Sequence, residues 1–494
     1  MSQRACPLRV AIIYPGPADQ GRASLAVCSL LRLAGELPGI RAERVFVGPG
    51  ARPSEPLSAF DLLAVSLSFE EQYAVLPGLL RQGGLPALAR ERDARFPLVL
   101  AGGLAVRLNP RPLRAFADLL VPGDAEAVIG PLLAALSSLR GAGRPEQLAG
   151  LARVEGVWSR AAPDDLRPVY SRPARPAAQV GPAEPSALGD LFLVETGRGC
   201  PRRCRFCALS HARRPAIFFP VERIFEAARP GIESGRRIGL VGASLGMHPD
   251  LPALLDRLAA HGADLSPASL HPAAVVSDAG RSLVGRLAEG RQRSITLAPE
   301  AGSARLRRLI GKPCEDDALH EAVGLLASAG CVHLKLYLMY GLPTERDEDL
   351  EASVELLRAC RRIWLRAHGP RGGTGRIGVS LNPFVPKPCT PLAAEAMPAL
   401  AELRRRRRFL ASRMRRLGGV DVSGFSPREA LLQCFVDRSG EELSALLLAC
   451  DGRWPPPAEL LRELSPSWRD LACSPGAEPR EPWGEPVESP EGAE

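Results

Sequence analysis

Short apolar runs alternate with helically spaced apolar residues through the first part of the chain. Strands are predicted at Arg9–Tyr14, Arg44–Val47, Leu62–Phe69, Leu98–Ala101 and Asp118–Val121, and helices over Ala23–Leu37, Glu71–Leu88 and Ala125–Leu139. The pattern then lapses. The stretch from Ala161 to Pro185 is crowded with Pro, Ala and Arg and has no sustained period, which reads as a linker with a short hairpin around Gly156-Val157-Trp158 and Pro168-Val169-Tyr170. From Leu191 the alternation resumes, with strands at Leu191–Glu195, Ile238–Gly242, Asp264–Leu270, Ser294–Ala298, Val332–Met339 and Ile377–Asn382. Helices such as Leu251–Ala260, Ala318–Ala329 and Asp347–Arg366 fall between them.

Strand–helix alternation implies right-handed crossovers and parallel sheet. The first block fits a doubly wound, flavodoxin-like domain over residues 1–142, whose ligands would sit beyond the carboxyl ends of its strands. A linker over 143–190 then leads to six strand–helix units over 191–392. These fit a partial (β/α)6 barrel of TIM type, with its active site at the carboxyl ends of the strands. A basic helical extension is expected over 393–473 and a disordered tail over 474–494.

The 494 residues include 46% hydrophobic and 24% charged residues, a balance that excludes disorder of the whole chain. No apolar run approaches the ~18 residues of a spanning helix, and Val10–Tyr14 is too short for a signal peptide, so a soluble cytoplasmic protein is expected. Lys and Arg number 63 against 55 Asp and Glu, yet only Lys312, Lys335 and Lys387 are lysines. A net charge of +8 spread over so long a chain is weak support for a polyanionic partner. The run Arg404–Arg408 offers phosphates a contact surface, but Phe409 is the one aromatic beside it, and a helix with Arg at most positions is more often a solvated face.

Nine of the twelve cysteines stand apart and read as small buried hydrophobes. The other three, Cys200, Cys204 and Cys207, form C-x3-C-x2-C in a Gly-rich loop after the first barrel strand. Three thiolates on one loop can converge on a metal centre. On a cubane [4Fe–4S] cluster they leave one iron open to an outside ligand. The alternative is a closed Cys3His zinc site completed by His211, giving a scaffold without catalysis.

The C-x3-C-x-aromatic-C pattern, with Phe206 before the third cysteine, resembles the radical S-adenosylmethionine (SAM) superfamily. The chain is further similar to the subgroup in which a cobalamin-binding domain precedes the barrel. Leu100-Ala101-Gly102-Gly103, Asn109-Pro110 and Pro122-Gly123-Asp124-Ala125-Glu126 carry that likeness in the first domain. Leu297–Ser303, Tyr340-Gly341-Leu342-Pro343 and Asn382–Pro388 carry it in the barrel.

The resemblance implies that Cys200, Cys204 and Cys207 hold a [4Fe–4S] cluster that reductively cleaves SAM, giving a radical that abstracts hydrogen from an unreactive carbon. It implies that Phe206 meets the adenine. Gly242 stands where the family often has a Gly-Gly-Glu-like segment, without its acid, so backbone carbonyls would receive the SAM amino group. Ser269 would meet the methionine part, Glu300 the ribose or amino group, and Arg305 or Lys312 the carboxylate. A solvated face for Arg305 and a helix-terminal acid for Glu300 are the structural alternatives.

Ser66 and the pair Gly102 and Gly103 would admit the tail of cobalamin. All seven histidines lie from His211 onward, so the first domain offers cobalt no lower histidine. The implied reaction is cobalamin-dependent methylation of an unactivated centre in a small molecule, with a reductant such as flavodoxin or ferredoxin. Rearrangement or cyclisation without cobalamin, and RNA modification, are the alternatives. A methylthiotransferase would need three further cluster cysteines upstream, where only Cys6 and Cys28 occur.

Overall fold

A computed structural model describes residues 7–47, 55–160, 166–180, 186–289, 294–368, 375–465, 467–476 and 487–488. The chain divides into two units, Met1–Asp190 with Phe435–Trp468 and Arg480–Glu494, and Leu191–Cys434 with Arg469–Pro479.

In the first unit, β1 (Leu8–Tyr14), β2 (Ile40–Phe46), β3 (Leu62–Ser66), β4 (Leu98–Gly102), β5 (Leu119–Val121) and β6 (Trp158–Ser159) form one sheet in the order β2-β1-β3-β4-β5-β6. All pairings are parallel except β5 with β6. Every residue of β3 is buried, as a strand covered on both faces requires. Helices Leu25–Gly35 and Ala125–Ser138 cover the sheet with apolar residues such as Val27 and Leu132.

The helix expected over Ala23–Leu37 is broken at Ser24, which is extended and accepts the Val27 N–H at 3.4 Å, so Ala18–Ala23 and Leu25–Gly35 are separate. The one expected over Glu71–Leu88 is a 3-10 turn, Glu70–Tyr73, followed by Val75–Gln82. It stops where the next residue, Gly83, packs so closely on Leu57 that a Cβ would lie 2.2 Å from that side chain.

The stretch expected as a linker over 143–190 belongs to the body of this unit. Helix Arg144–Leu151 precedes β6, and Leu151, Val157 and Val169 join the core of β1, β3 and β4. The anticipated hairpin does not form, because β6 takes the open edge of β5. β7 (Val169–Tyr170) pairs instead with Val487–Glu488, two residues of the expected tail. Most of that tail lies outside the described residues.

Asp118 is a buried clamp here, accepting from Val99 N at 2.8 Å, Arg144 Nη2 at 2.7 Å and Arg92 Nη2 at 3.0 Å. Asn109 donates its amide to Val436 O and Ser439 O at 2.8 and 2.9 Å, tying the segment from Phe435 into this unit.

The second unit contains β8 (Leu191–Glu195), β9 (Gly197–Arg198), β10 (Ile217–Phe218), β11 (Arg237–Val241), β12 (Leu265–Pro267), β13 (Ser294–Glu300), β14 (His333–Tyr340), β15 (Arg376–Pro383) and β16 (Val420–Ser423). Two parallel sheets, β8-β11-β12 and β13-β14-β15-β16, meet at a parallel bridge between Leu270 and Leu297. Successive strands thus lie side by side in chain order, so right-handed crossovers put their helices on one face. Burial follows: Leu334, Leu336 and Leu338 of β14 are buried, while Lys335, Tyr337 and Met339 on the other face are half-buried.

β16 falls where only helix was expected. Its four residues, Val420-Asp421-Val422-Ser423, alternate in polarity and extend the sheet beside β15. The helical extension expected over 393–473 is therefore split, in structure and between units. Among the described residues no helix is long and apolar enough to cross a membrane.

Candidate active site at the cysteine loop

The three cysteines lie between β9 and β10, an antiparallel pair standing at the carboxyl end of β8. Gly199 starts the loop with φ +69°, and a Cβ there would lie 2.7 Å from Arg213 O, so neither the turn nor the space admits a side chain. Beyond it the loop is held from within. Cys207 N–H donates to Cys204 O at 3.1 Å, Ser210 Oγ to Cys207 O at 3.0 Å, and His211 Nε2 to Cys204 O at 3.0 Å. Arg205 N–H donates to Ile310 O at 2.8 Å and Arg205 O accepts from Leu392 N–H at 3.2 Å. Phe206 packs against an apolar cluster containing Ala301, Leu306, Ile310 and Leu342.

All three thiols are free, Cys204 is buried, and Cys200 and Cys207 are half-buried. Burial pushes the Cys204 thiol up to about 11, against the pull of the Lys312 ammonium. Iron would bind the thiolate and displace that proton.

Both ring nitrogens of His211 are engaged, Nε2 with Cys204 O and Nδ1 with Arg214 Nη2 at 2.6 Å. Among the described residues no three of His, Cys, Asp and Glu stand close enough to hold one ion. A zinc site needs its donors in a shell of ~2.0–2.3 Å, so the Cys3His alternative is not built. A cubane spreads its thiolates over separate irons, and the all-thiolate donor set fits it.

Glu300 ends β13 at φ +69°, after an irregularity in the register with β14. A non-glycine residue held there is strained, and such strain concentrates at functional sites. Its carboxylate accepts from Lys312 Nζ at 2.8 Å, both side chains being largely buried. Burial raises the Glu300 carboxyl and the Lys312 ammonium opposes the rise.

Arg305, expected to offer a cation to SAM, is bonded elsewhere. Its guanidinium pairs with Asp349 and reaches Thr344 Oγ1 and O at 3.0 and 2.9 Å. Asp349 also accepts from Ser303 Oγ and Arg346 N, making a brace between two helices. Gly242 follows β11, and a Cβ on it would lie 2.5 Å from Thr196 Oγ1, so packing already demands glycine there. Ser269 lies exposed on the turn after β12.

His271, two residues beyond, is the group that sequence reasoning passed over. It accepts the Ala273 N–H on Nδ1 at 3.2 Å, and its Nε2 is buried without a hydrogen-bond partner. Burial, then the charges of Arg202 and Lys312, hold its pKa down at about 3. The available signal was its place: a histidine at a barrel-strand end, directly before a proline.

In the first unit Ser66 is buried and pairs in register with Gly102. Gly103 has φ +114°, and a Cβ there would lie 2.3 Å from Leu67 O, while one on Gly102 would lie 3.2 Å from Val121 O. The close approach these glycines permit is that of the chain's own backbone. They shape the carboxyl ends of β3 and β4, where a doubly wound sheet receives its ligand.

The run Arg404–Arg408 sits on helix Leu400–Arg415. Arg405 pairs with Asp347 and Glu402 at 2.7 Å, Arg406 with Glu345 at 2.8 Å and Glu402 at 2.6 Å, and Arg413 with Glu351 at 2.9 Å. Much of this basic face therefore meets carboxylates of the same unit.

Residues 194–357 match the model of the radical SAM superfamily, and residues 50–159 that of the N-terminal region of radical SAM proteins. An uncharacterized protein of Methanocaldococcus jannaschii is 26% identical over 89% of this chain and 90% of its own length. A tRNA-2-methylthio-N(6)-dimethylallyladenosine synthase of Sorangium cellulosum is 26% identical over 56% of this chain and 57% of its own. Among solved structures, the radical SAM methyltransferase TsrM of Kitasatospora setae, with cobalamin and a [4Fe–4S] cluster bound, shares the fold at a TM-score of 0.54 and 16% identity, over 79% of this chain and 78% of its own. The cobalamin-dependent radical SAM enzyme OxsB shares it at 0.53 and 14%, over 71% and 52%. This chain belongs to the radical SAM superfamily. The cofactors of that superfamily are a [4Fe–4S] cluster and SAM.

Proposed function

We propose that this protein is a cobalamin-dependent radical SAM enzyme that methylates an unactivated centre of a small molecule. The observation that carries this reading is the loop with Cys200, Cys204 and Cys207, braced by its own hydrogen bonds at the carboxyl end of β8. The fold likeness to TsrM and OxsB, both cobalamin proteins, supports it.

With cluster, SAM and cobalamin bound, the chemistry supplied is one-electron cleavage of SAM and carriage of a methyl group. Cys200, Cys204 and Cys207 would ligate three irons and leave the fourth for SAM. Phe206, packed on Ile310 and Leu342, fixes the loop beside the adenine position. Glu300 and Lys312, each holding the other, would face the polar end of SAM from the carboxyl end of β13. The flavodoxin-like first unit would take cobalamin at the ends of β3 and β4, by Ser66, Gly102 and Gly103. All seven histidines lie between 211 and 368, outside that unit, so its residues leave cobalt without a lower imidazole.

Modification of RNA is the second reading, supported by the Sorangium cellulosum relative. Against it stand the pairing of the arginine run with carboxylates and the shortage of upstream cysteines. Anaerobic reconstitution with iron, sulfide and cobalamin, followed by product analysis of SAM turnover, tests the proposal. Methyl transfer predicts both S-adenosylhomocysteine and 5′-deoxyadenosine. The latter alone, from protein that retains no cobalamin, would contradict it and favour rearrangement.

A further inference from the structure

Lys335 is one of three lysines in a chain with 63 lysine and arginine residues. It lies in β14, on the face opposite the buried leucines, in register with Thr296 of β13 and Gly378 of β15. All three residues are half-buried. A Cβ on Gly378 would lie 3.8 Å from Lys335 Cγ, an ordinary contact, so packing does not demand glycine there. Its absence of a side chain leaves the lysine stem uncovered on that side.

The ammonium has a fixed direction. Nζ lies 5.2 Å from the centroid of the Tyr337 ring, within the range of a cation–π contact. Tyr337 is the next residue on that face toward the carboxyl end of the strand. Met339, the one after, packs against the apolar cluster that also holds Phe206 of the cysteine loop. The amine is therefore held toward the end of the sheet where the cluster thiols stand.

Its charge is not balanced by the protein. On the same face Glu300 pairs with Lys312 at 2.8 Å, and Asp421, in register with Gly378, pairs with Arg376 at 3.8 Å. Among the described residues Lys335 has no carboxylate within ion-pair distance. A cation withdrawn from water in this way calls for an anion. Ser380 and Ser423 flank Tyr337 in register, and Asn382 Nδ2 donates to Ser380 Oγ at 3.2 Å, so the neighbouring strands add neutral polar groups and no charge at that level.

Resting on the radical SAM reading, we infer that Lys335 and Tyr337 form the anion subsite for the substrate, a carboxylic acid with an apolar body. One ammonium is a point charge that matches one carboxylate. The Tyr337 ring and the Met339 thioether match an apolar body lying along β14. Four residues of strand, ~13 Å, separate position 335 from position 339, so the reacting centre would be remote from the carboxylate.

Protein reconstituted with iron and sulfide is incubated with 3-phenylpropanoate, 6-phenylhexanoate or octanoate, each beside its primary amide, and separately with inorganic phosphate. Brief anaerobic acetylation followed by peptide mass spectrometry reads the reactivity of each lysine, with Lys312 and Lys387 as internal references. At least one acid should protect Lys335 at a concentration roughly tenfold below that of its amide, the size of a hydrogen bond to a charged group. Phosphate should protect no better than the amides. Equilibrium dialysis of that acid and its amide then reads the variants. Lys335→Gln should reduce the acid to the level of the amide, which itself should bind unchanged, and Lys335→Arg should keep most of the preference.

No acid protecting better than its amide would overturn the inference, as would protection by phosphate equal to that of the acids. Equal weakening of acid and amide in Lys335→Gln would assign the lysine a structural role and overturn it too. The same preparation is assayed for its cluster and for the response of that cluster to SAM. Failure there contradicts the radical SAM reading, and is distinct because the acid preference is read without SAM.

Discussion

Lys312 Nζ lies 2.8 Å from Glu300 Oε1, and Glu300 holds that position in left-handed backbone. Each group makes the burial of the other tolerable. Lys312→Gln should leave a buried carboxylate unpaired and destabilise the protein by about 3–5 kcal/mol, whereas removing both charges in Glu300→Gln with Lys312→Gln should cost less than the sum. Denaturant unfolding of the single and double variants checks this. Additive losses would mean that the two side chains do not act as a pair.

Cys204 is the most buried of the three loop thiols, and its carbonyl anchors both His211 and Cys207. Cys204→Ser should abolish retention of iron and sulfide after anaerobic reconstitution while His211→Ala, which removes no thiolate, retains the cluster. Iron and acid-labile sulfide analysis reads the difference. Loss of metal in His211→Ala with unchanged metal in Cys204→Ser would reverse the assignment of ligands.

Glu345 is buried, accepting from Gly341 N–H at 2.6 Å and from Arg406 at 2.8 Å, and burial pushes its carboxyl up to about 7. A raised acid pKa means that the folded state binds more protons than the unfolded chain between the ordinary glutamate range and that value. Stability from this group is thus present at low pH and declines as pH rises from about 4.5 to about 7, by up to ~3 kcal/mol. Unfolding free energies at the two ends of that window should converge in Glu345→Gln. An unchanged pH slope in that variant would place the titration elsewhere.

Gly103 turns the chain from β4 into the following helix at φ +114°, with Leu67 O 2.3 Å from where a Cβ would be. Gly103→Ala combines backbone strain with a clash against backbone, and a loss of about 3 kcal/mol is expected. A thermal melt lowered by several degrees checks it; an unchanged melt would show that the turn can relax.

What the sequence made legible was periodicity and spacing. The strands through Leu62, Leu98, Leu191 and Leu334 are dense apolar runs, and their positions are those expected within a few residues. The cysteine loop was legible because C-x3-C-x2-C is a covalent pattern that needs no tertiary context. The β16 strand was not, since four alternating residues after a long basic helix carry too little signal to compete with it. Segment 143–190 misled because its Pro and Arg mask three core residues, Leu151, Val157 and Val169, whose burial depends on a sheet edge far away in sequence. Arg305 was misassigned for a similar reason: the carboxylate it meets, Asp349, sits on a helix far along the chain.

On the proposed function, Cys200, Cys204 and Cys207 hold a cluster with an open iron that SAM occupies. The direct test is the electron paramagnetic resonance spectrum of the anaerobically reconstituted, reduced protein, recorded with and without SAM. A [4Fe–4S]⁺ signal whose shape and field positions change when SAM is added is the predicted result. A protein that takes up no iron, or a cluster signal indifferent to saturating SAM, would contradict it.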